Sequence, residues 1–144
     1  IKVYAKIFSE MIERTIYSVS NDETRYHLNG VYFEKKKENG KICFRMVATD
    51  GHRLSLVERE IHGDVQETSI PSAGVIIPRK GLAEIKKIID TIDNTIEMAF
   101  EGSQLIIKNN STVLMVRLIE GKYPNYQQLI PQKMKKTANI DREI

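Results

Sequence analysis

The pattern of apolar residues predicts the same order of elements twice along the chain: a strand, a helix and three further strands. The predicted elements cover residues 2–5, 6–18, 25–35, 41–49 and 52–59 in the first half, and 73–77, 79–91, 95–100, 103–109 and 112–118 in the second. The two predicted helices align Ile12 with Ile85, but residue identity between the halves is otherwise poor. The repeat is therefore one of pattern rather than of sequence.

Both predicted helices are amphipathic. Their apolar residues recur at helical spacing and comprise Phe8, Met11, Ile12, Thr15, Ile16 and Val19 in the first helix, and Leu82, Ile85, Ile88, Ile89 and Ile92 in the second. Pro78 suits the start of the second helix, because its fixed φ fits a first turn and its missing N–H is not needed there. Two helices and about eight strands predict an α+β fold, with pseudo-two-fold symmetry and both helices packed on one side of two antiparallel sheets.

A polar hairpin is predicted at Asp50-Gly51, between two strand-like runs. Asp-Gly favours a two-residue type I′ turn, in which both central residues have positive φ. Such a turn would place Thr49 opposite His52, with Arg53 directly behind.

Composition limits the class of protein. The 144 residues are enough for one domain, and a net charge of +3 is too mild for a dedicated nucleic-acid binder. Cys43 is the only cysteine, so an intrachain disulfide is impossible, in agreement with a reducing compartment. With no signal-peptide pattern and no apolar run near 18 residues, we expect a cytoplasmic protein without a membrane segment.

Catalytic and metal sites are weakly supported. Asp50 and His52 are considered as a catalytic dyad, and His27, His52 and His62 as metal ligands. The sequence has no His-x-x-x-His, Cys-x-x-Cys or phosphate-binding glycine loop, and no nucleophile motif. Asp50 is already explained by the turn, while His52 could bond nearby backbone. We therefore expect no enzyme activity, metal or cofactor.

Residues 120–131 are irregular but too apolar for a free loop, so we expect them to pack back onto the domain. Residues 132–144 have the character of a linker. A carboxylate such as Glu120 is a possible partner for Arg53.

Four segments together resemble the β subunits of bacterial DNA polymerase III, the β sliding clamps. They are residues 22–31 (DETRYHLNGV), 47–54 (VATDGHRL), 76–81 (IIPRKG) and 119–126 (IEGKYPNY). Their order and spacing fit the middle one of that family's three domains. The resemblance implies a DNA-clamp fold, with two helices on two four-stranded antiparallel sheets. It also makes 1–131 the central domain and 132–144 a linker toward an absent third domain.

In this family the clamp is a homodimeric ring that encircles double-stranded DNA and gives the replicative polymerase its processivity. The helices line the central hole, where contact with phosphate has to be independent of sequence if the ring is to slide. The resemblance implies that the DNA-facing residues are Arg25, Tyr26, Arg79, Lys80, Lys86 and Lys87.

The family also binds short linear motifs of the replicative polymerase, the clamp loader and repair proteins. The resemblance implies that this chain's share of the peptide pocket is Leu28, Thr49, Gly51, His52, Arg53, Leu54, Pro124, Gln128 and Leu129. Its leucines and proline would receive apolar anchors of the peptide. An alternative for Leu28 and Leu54 is simple packing in the core.

Two positions depart from the family pattern. Gln127-Gln128 stands where relatives often carry basic residues, and His27 where a tyrosine is common. The first would alter the rim of the pocket, and the second would weaken a DNA contact. The alternative function is a stand-alone, weak nucleic-acid-binding module.

Overall fold

The computed structural model describes residues 1–61 and 70–143. Its helices are α1 (Ala5–Glu13) and α2 (Arg79–Ile89). Its strands are β1 (Lys2–Tyr4), β2 (Gly30–Glu38), β3 (Lys41–Thr49), β4 (Leu54–Glu60), β5 (Val75–Pro78), β6 (Thr95–Glu101), β7 (Gln104–Asn109) and β8 (Thr112–Arg117). Short 3-10 helices cover Ile16–Ser18, Glu23–Leu28 and Tyr126–Leu129.

The strands form two antiparallel four-stranded sheets, ordered β1-β6-β7-β8 and β4-β3-β2-β5. The first strand of each half thus lies in the sheet of the other half. Val3 of β1 pairs with Ile96 of β6, and Ile77 of β5 pairs with Val31 of β2. The predicted α+β fold, with two helices and two four-stranded antiparallel sheets, is confirmed.

One core joins the helices to both sheets. Helix α1 buries Phe8, Met11 and Ile12, and α2 buries its own apolar stripe at the predicted spacing. Phe33 of β2 contacts Phe8 edge-on, with ring centroids 6.2 Å apart. It also stacks on Phe100 of β6 at 5.7 Å, across the boundary between the sheets.

Helix α1 ends at Glu13, earlier than the predicted residue 18. The Thr15 hydroxyl donates to the carbonyl oxygens of Met11 at 2.8 Å and Ile12 at 3.3 Å. It thereby satisfies carbonyls that would otherwise accept bonds from a continuing helix. The 3-10 turn Ile16–Ser18 follows.

The predicted strand over 25–35 is wrong at its start, because Glu23–Leu28 is a 3-10 helix kinked at Arg25 and β2 begins only at Gly30. Asp22 caps this helix by accepting the Thr24 N–H at 2.9 Å. A side chain at Gly30 would place its Cβ 2.4 Å from the Ile77 carbonyl oxygen, so only glycine allows β5 to approach so closely.

Most of the predicted connector over 60–72 lies outside the described residues. Residues 132–143 contain no helix or strand and are exposed. Within the described ranges, no helix is long and apolar enough to cross a membrane.

Candidate functional site

The corner, residues 49–54, joins β3 to β4 and carries most of the predicted peptide pocket. Asp50 Oδ1 accepts the backbone N–H groups of His52 at 2.9 Å and Arg53 at 3.0 Å. Thr49 Oγ1 donates to the Arg53 carbonyl at 2.7 Å and accepts the Gly51 N–H at 3.1 Å. Side chains of the loop thus bond its own backbone at several points.

The predicted type I′ turn is wrong. Thr49 pairs with Leu54 rather than His52, so the loop has four residues instead of two. Gly51 has φ of 90°, but Asp50 is not among the described residues with positive φ. Instead, the Asp50 side chain accepts the backbone N–H groups of His52 and Arg53. A two-residue turn does not require such bonds.

The Asp50 carboxylate is committed to the corner. The backbone N–H groups of His52 and Arg53 hold the pKa of Asp50 below its ordinary range, and the Arg53 cation adds to the effect. Arg53 Nε lies 3.2 Å from Asp50 Oδ2, so its carboxylate partner is Asp50 rather than Glu120. The bonds to Asp50 thus come from backbone N–H groups and from Arg53. They give no support for a catalytic dyad of Asp50 with the His52 imidazole.

A second apolar cluster, here called the outer cluster, lies beneath the corner. Its buried members are Leu28, Val47, Ile76, Tyr123 and Tyr126, and partly buried Tyr32, Leu54 and Ile119 pack against it. Leu28 has no exposed surface, so it packs in this cluster and is not an open pocket wall in this structure.

The other predicted pocket residues range from buried to exposed. Thr49 is buried and Leu54 is half-buried, while Leu129 exposes 61% of its surface. The remaining members are half-buried Pro124 and exposed Gly51, His52, Arg53 and Gln128. Of the apolar residues in this predicted set, Leu54, Pro124 and Leu129 therefore keep accessible surface, whereas Leu28 does not.

The return segment, residues 119–131, crosses the sheet face opposite the helices. Ile119 begins it by forming a bridge with Ile76 of β5. The Thr49 N–H donates to the phenol oxygen of Tyr123 at 3.1 Å. Arg45 donates to the phenol oxygen of Tyr126 at 3.1 Å. The expectation that this segment packs onto the domain is confirmed, but sequence reasoning did not assign its tyrosines to the site.

The predicted DNA-facing residues Arg25 and Tyr26 lie on the 3-10 helix Glu23–Leu28. Arg25 Nη1 is 3.5 Å from the Asp50 carbonyl oxygen, so this cation lies against the corner. Tyr26 exposes 56% of its surface, and its ring meets His27 edge-on at 5.7 Å.

The cations of α2 differ in their partners. Arg79 donates to the neutral Asn21 side chain at 2.6 Å, and Lys80 is exposed. Lys87 pairs with Glu84 at 2.9 Å in an exposed i,i+3 pair, which contributes little to stability.

Lys86 is the most strongly engaged of these cations. It donates to Asp90 at 2.8 Å and to the Ser9 hydroxyl of α1 at 3.1 Å. The Lys86 ammonium, with the Ser9 hydroxyl, holds the pKa of Asp90 below its ordinary range. Lys86 thus bonds a residue of each helix region, and its ammonium is paired with the Asp90 carboxylate.

Among the described residues, no group of three or more His, Cys, Asp or Glu side chains could hold a metal ion. His62, one of the three histidines considered as ligands, lies outside those residues.

Residues 2–125 match the family described as DNA polymerase III beta subunit, central domain. The chain belongs to this family. The beta sliding clamp of Rickettsia felis is 37% identical over 147 residues, covering 99% of this chain and 36% of the relative. That of Caulobacter vibrioides (strain NA1000 / CB15N) is 32% identical over 134 residues, covering 93% of this chain and 35% of the relative.

Solved clamp structures share the fold. A beta sliding clamp of C. crescentus superposes with a TM-score of 0.84 at 33% identity, covering 92% of this chain and 34% of that one. The Bartonella birtlesii DnaN sliding clamp, solved bound to griselimycin, gives 0.82 at 33% identity, again over 92% of this chain and 34% of that one. The chain therefore spans about a third of the length of the relatives that it matches.

Proposed function

We propose that this chain acts as the central domain of a DNA sliding clamp. The observation that carries the proposal is the match to the family's central domain over residues 2–125, with the fold it requires. The whole protein would be a homodimeric ring that encircles duplex DNA and confers processivity on the replicative polymerase in the cytoplasm. Such a role is topological, so it needs no catalytic residue.

Residues 1–131 would form the domain, and 132–144 would link it to a third domain. Support comes from the described part of that segment, which lacks helix and strand and stays exposed through residue 143. The whole protein would then present several such domains in one ring.

We further propose that the corner and the return segment dock short linear motifs from the polymerase, clamp loader and repair proteins. Half-buried Leu54 and Pro124 and exposed Leu129 offer apolar surface beside polar groups of the corner. Apolar side chains of a peptide would bury surface there, while the corner would bond its amides.

An NMR titration of this chain with a Gln-Leu-x-Leu-Phe peptide tests the docking proposal. We expect shifts at Thr49, His52, Arg53, Leu54 and Leu129, and none with a scrambled peptide.

Leu129→Ala should weaken binding, because it removes an exposed apolar contact. Met134→Ala is the matched control, since Met134 exposes 69% of its surface outside the proposed pocket. Equal binding by both variants would contradict the assignment.

The DNA-facing surface would comprise Arg25, Tyr26, Arg79, Lys80 and Lys87, with Lys86 contributing less because Asp90 neutralises it. Contacts of this kind reach phosphate without reading bases, as sliding requires. Tight, saturable DNA binding by this chain alone at physiological salt would instead favour the stand-alone nucleic-acid module.

A further inference from the structure

Three tyrosines attach the return segment to the outer face of the β4-β3-β2-β5 sheet. The Tyr123 ring stacks on Tyr32 of β2, with centroids 4.9 Å apart and planes 6° from parallel. Tyr126 lies 6.3 Å from the same Tyr32 ring. Tyr32 is itself fixed, since its hydroxyl donates to the Ala73 carbonyl at 2.8 Å. Stacked rings of this kind fix the position of a segment, because they bury area and restrict orientation.

The Tyr123 hydroxyl bonds the strand end that carries the corner. The ladder between β2 and β3 ends at the pair Tyr32 and Val47, so the Thr49 amide lies beyond it. That amide donates to the Tyr123 phenol oxygen at 3.1 Å. Both residues are buried, with 4% of Thr49 and 7% of Tyr123 exposed, so the bond is shielded from competing water.

The Thr49 side chain connects this amide bond to the rest of the corner. Its hydroxyl bonds the Gly51 N–H and the Arg53 carbonyl, at the middle and the end of the loop. A side chain of the return segment is therefore connected to the corner through one residue. Pro124 directly follows Tyr123. It is half-buried and belongs to the proposed pocket.

Tyr126 bonds the return segment to the sheet three residues after Tyr123. Its hydroxyl donates to Glu34 and accepts from Arg45, and Arg45 is held by Glu58 at 2.6 Å. This network bonds Tyr126 to β2 and β3 but does not bond Thr49. It therefore provides an internal comparison for Tyr123.

We propose that Tyr123 is a positioning residue that holds the corner and the return segment in register before a peptide binds. The proposal rests on the docking function proposed above, since these two pieces form the docking surface. A surface assembled in advance loses less conformational freedom when its ligand arrives, so it binds more tightly. Tyr123 would contribute in this way without touching the peptide.

The variant Tyr123→Phe tests the proposal, because it keeps the ring and its stacking but removes the acceptor oxygen. In this chain we expect the Thr49 amide to exchange with solvent roughly tenfold faster and the peptide Kd to rise roughly fivefold. Amide exchange in β6, β7 and β8 should not change. Tyr4→Phe is the matched control, since Tyr4 exposes 50% of its surface and lies on β1, in the other sheet.

Tyr126→Phe separates positioning from general loosening of the return segment. It removes the bonds to Glu34 and Arg45 but leaves the bond between Thr49 and Tyr123. We expect Thr49 exchange to stay at the rate of the unmodified chain. If Tyr126→Phe accelerated Thr49 exchange as much as Tyr123→Phe does, a specific role for Tyr123 would be overturned.

Binding and exchange decide different parts of the proposal. Faster Thr49 exchange in Tyr123→Phe with an unchanged peptide Kd would overturn positioning of the docking surface. If the unmodified chain bound no peptide while Tyr123→Phe still accelerated Thr49 exchange, the docking function would fall and the structural connection would stand. Unchanged exchange and unchanged Kd would overturn the connection itself.

A second variant covers the case in which Tyr123→Phe does not fold. Thr49→Val is nearly isosteric and keeps the amide bond to Tyr123, but it removes both hydroxyl bonds to the loop. We expect a comparable, roughly fivefold rise in the peptide Kd. Peptide binding as tight as in the unmodified chain would overturn the proposal that Tyr123 positions the corner through Thr49, because the bonds from the Thr49 hydroxyl to Gly51 and Arg53 would then have no effect on binding.

Discussion

Because Tyr123 is buried, we expect the stability of the domain to fall as the pH rises through the alkaline range. Its burial raises the pKa of the Tyr123 phenol to about 12, although the Thr49 N–H opposes this. In the unfolded chain the phenol ionises near pH 10, so between pH 10 and 12 the unfolded state binds fewer protons. The free energy of unfolding should therefore fall as the pH rises, by roughly 2 kcal/mol over this window.

Urea unfolding at several values between pH 9 and 12 would measure this dependence. Tyr123→Phe is the control, because it should lose this contribution and give a flatter curve over the same interval. The lysines ionise similarly in both proteins, so the difference between the curves isolates Tyr123. Parallel curves would show that its ionisation is not linked to folding.

Gly30 is predicted to be intolerant of any side chain. The Cβ of Gly30→Ala would lie 2.4 Å from the Ile77 carbonyl oxygen, a backbone atom that can move only if β2 and β5 separate. We expect a loss of about 2–4 kcal/mol in the free energy of unfolding. Gly102→Ala has open space around its Cβ but positive φ, and it should cost about 1 kcal/mol. Chemical denaturation of both variants would compare them, and equal losses would contradict the steric argument.

At the residue scale, the sequence predicts that a hairpin lies at Asp50-Gly51 but not the form of its turn. Asp-Gly fits both a two-residue turn and a loop in which aspartate bonds the following backbone. Tyr123 bonds Thr49, at the start of this loop, from 74 positions along the chain. Burial of Leu28 likewise depends on the return segment. Contacts between such distant residues leave no local pattern.

At the scale of elements, α2 is predicted to use its cations unequally. Lys80 is exposed, whereas Lys86 is bonded to Asp90 and Ser9. Lys80→Ala should weaken binding of duplex DNA at low salt and reduce the slope of log K against log salt by about 1. Lys86→Ala should change the slope less, because a cation already neutralised releases fewer counterions from DNA.

Fluorescence anisotropy with a labelled duplex over a range of salt concentrations would measure both slopes. Lys41→Ala is a suitable control, since Lys41 is a cation on β3, outside the helices, and pairs with Glu60 at 3.1 Å. Equal slopes for Lys80→Ala and Lys86→Ala would contradict the unequal roles.

The boundaries of elements were harder to predict than their existence. Helix α2 and the strands of the second half lie within a few residues of their predicted positions, because apolar periodicity marks them strongly. The predicted strand over 25–35 failed because its first residues form a capped 3-10 helix. The sequence of these first residues does not show whether they belong to the strand or to the turn before it. Pairing with β5 begins at Gly30, where the two strands approach too closely for a side chain.

At the scale of the whole molecule, Phe33 should control cooperative unfolding. It contacts Phe8 of α1, Phe44 of β3 and Phe100 of β6, so it connects a helix and both sheets. Phe33→Ala should lower the free energy of unfolding by about 3–5 kcal/mol while keeping a single transition.

Far-UV circular dichroism and tyrosine fluorescence, followed in the same urea titration, would test this cooperativity. Coincident curves at a lower midpoint would agree with one shared core, whereas two separate transitions would show that the sheets unfold independently. Val113→Ala provides the control, because Val113 exposes 59% of its surface and should change stability by less than about 0.5 kcal/mol.

The repeated order of elements predicted the architecture, but not which strands share a sheet. Periodicity identifies strands without naming their partners, and β1 and β5 are too short to indicate which sheet they join. The resemblance to the clamp family implies two four-stranded sheets, but only the structure shows that β1 joins β6 and β5 joins β2. The residues of the proposed docking surface come from the resemblance, because apolar spacing alone would assign Leu54 to a core, and their exposure comes from the structure.

The exchange of first strands between the halves has a consequence for how the chain can be divided. A fragment containing only the first half would keep β2, β3 and β4 but lack β5, and the second half would lack β1. Each fragment would expose the backbone edge that its missing strand covers, and such an edge recruits other strands. Although the pattern repeats, neither half is an autonomous folding unit, and two severed halves would regain the native sheets only by reassociating with each other.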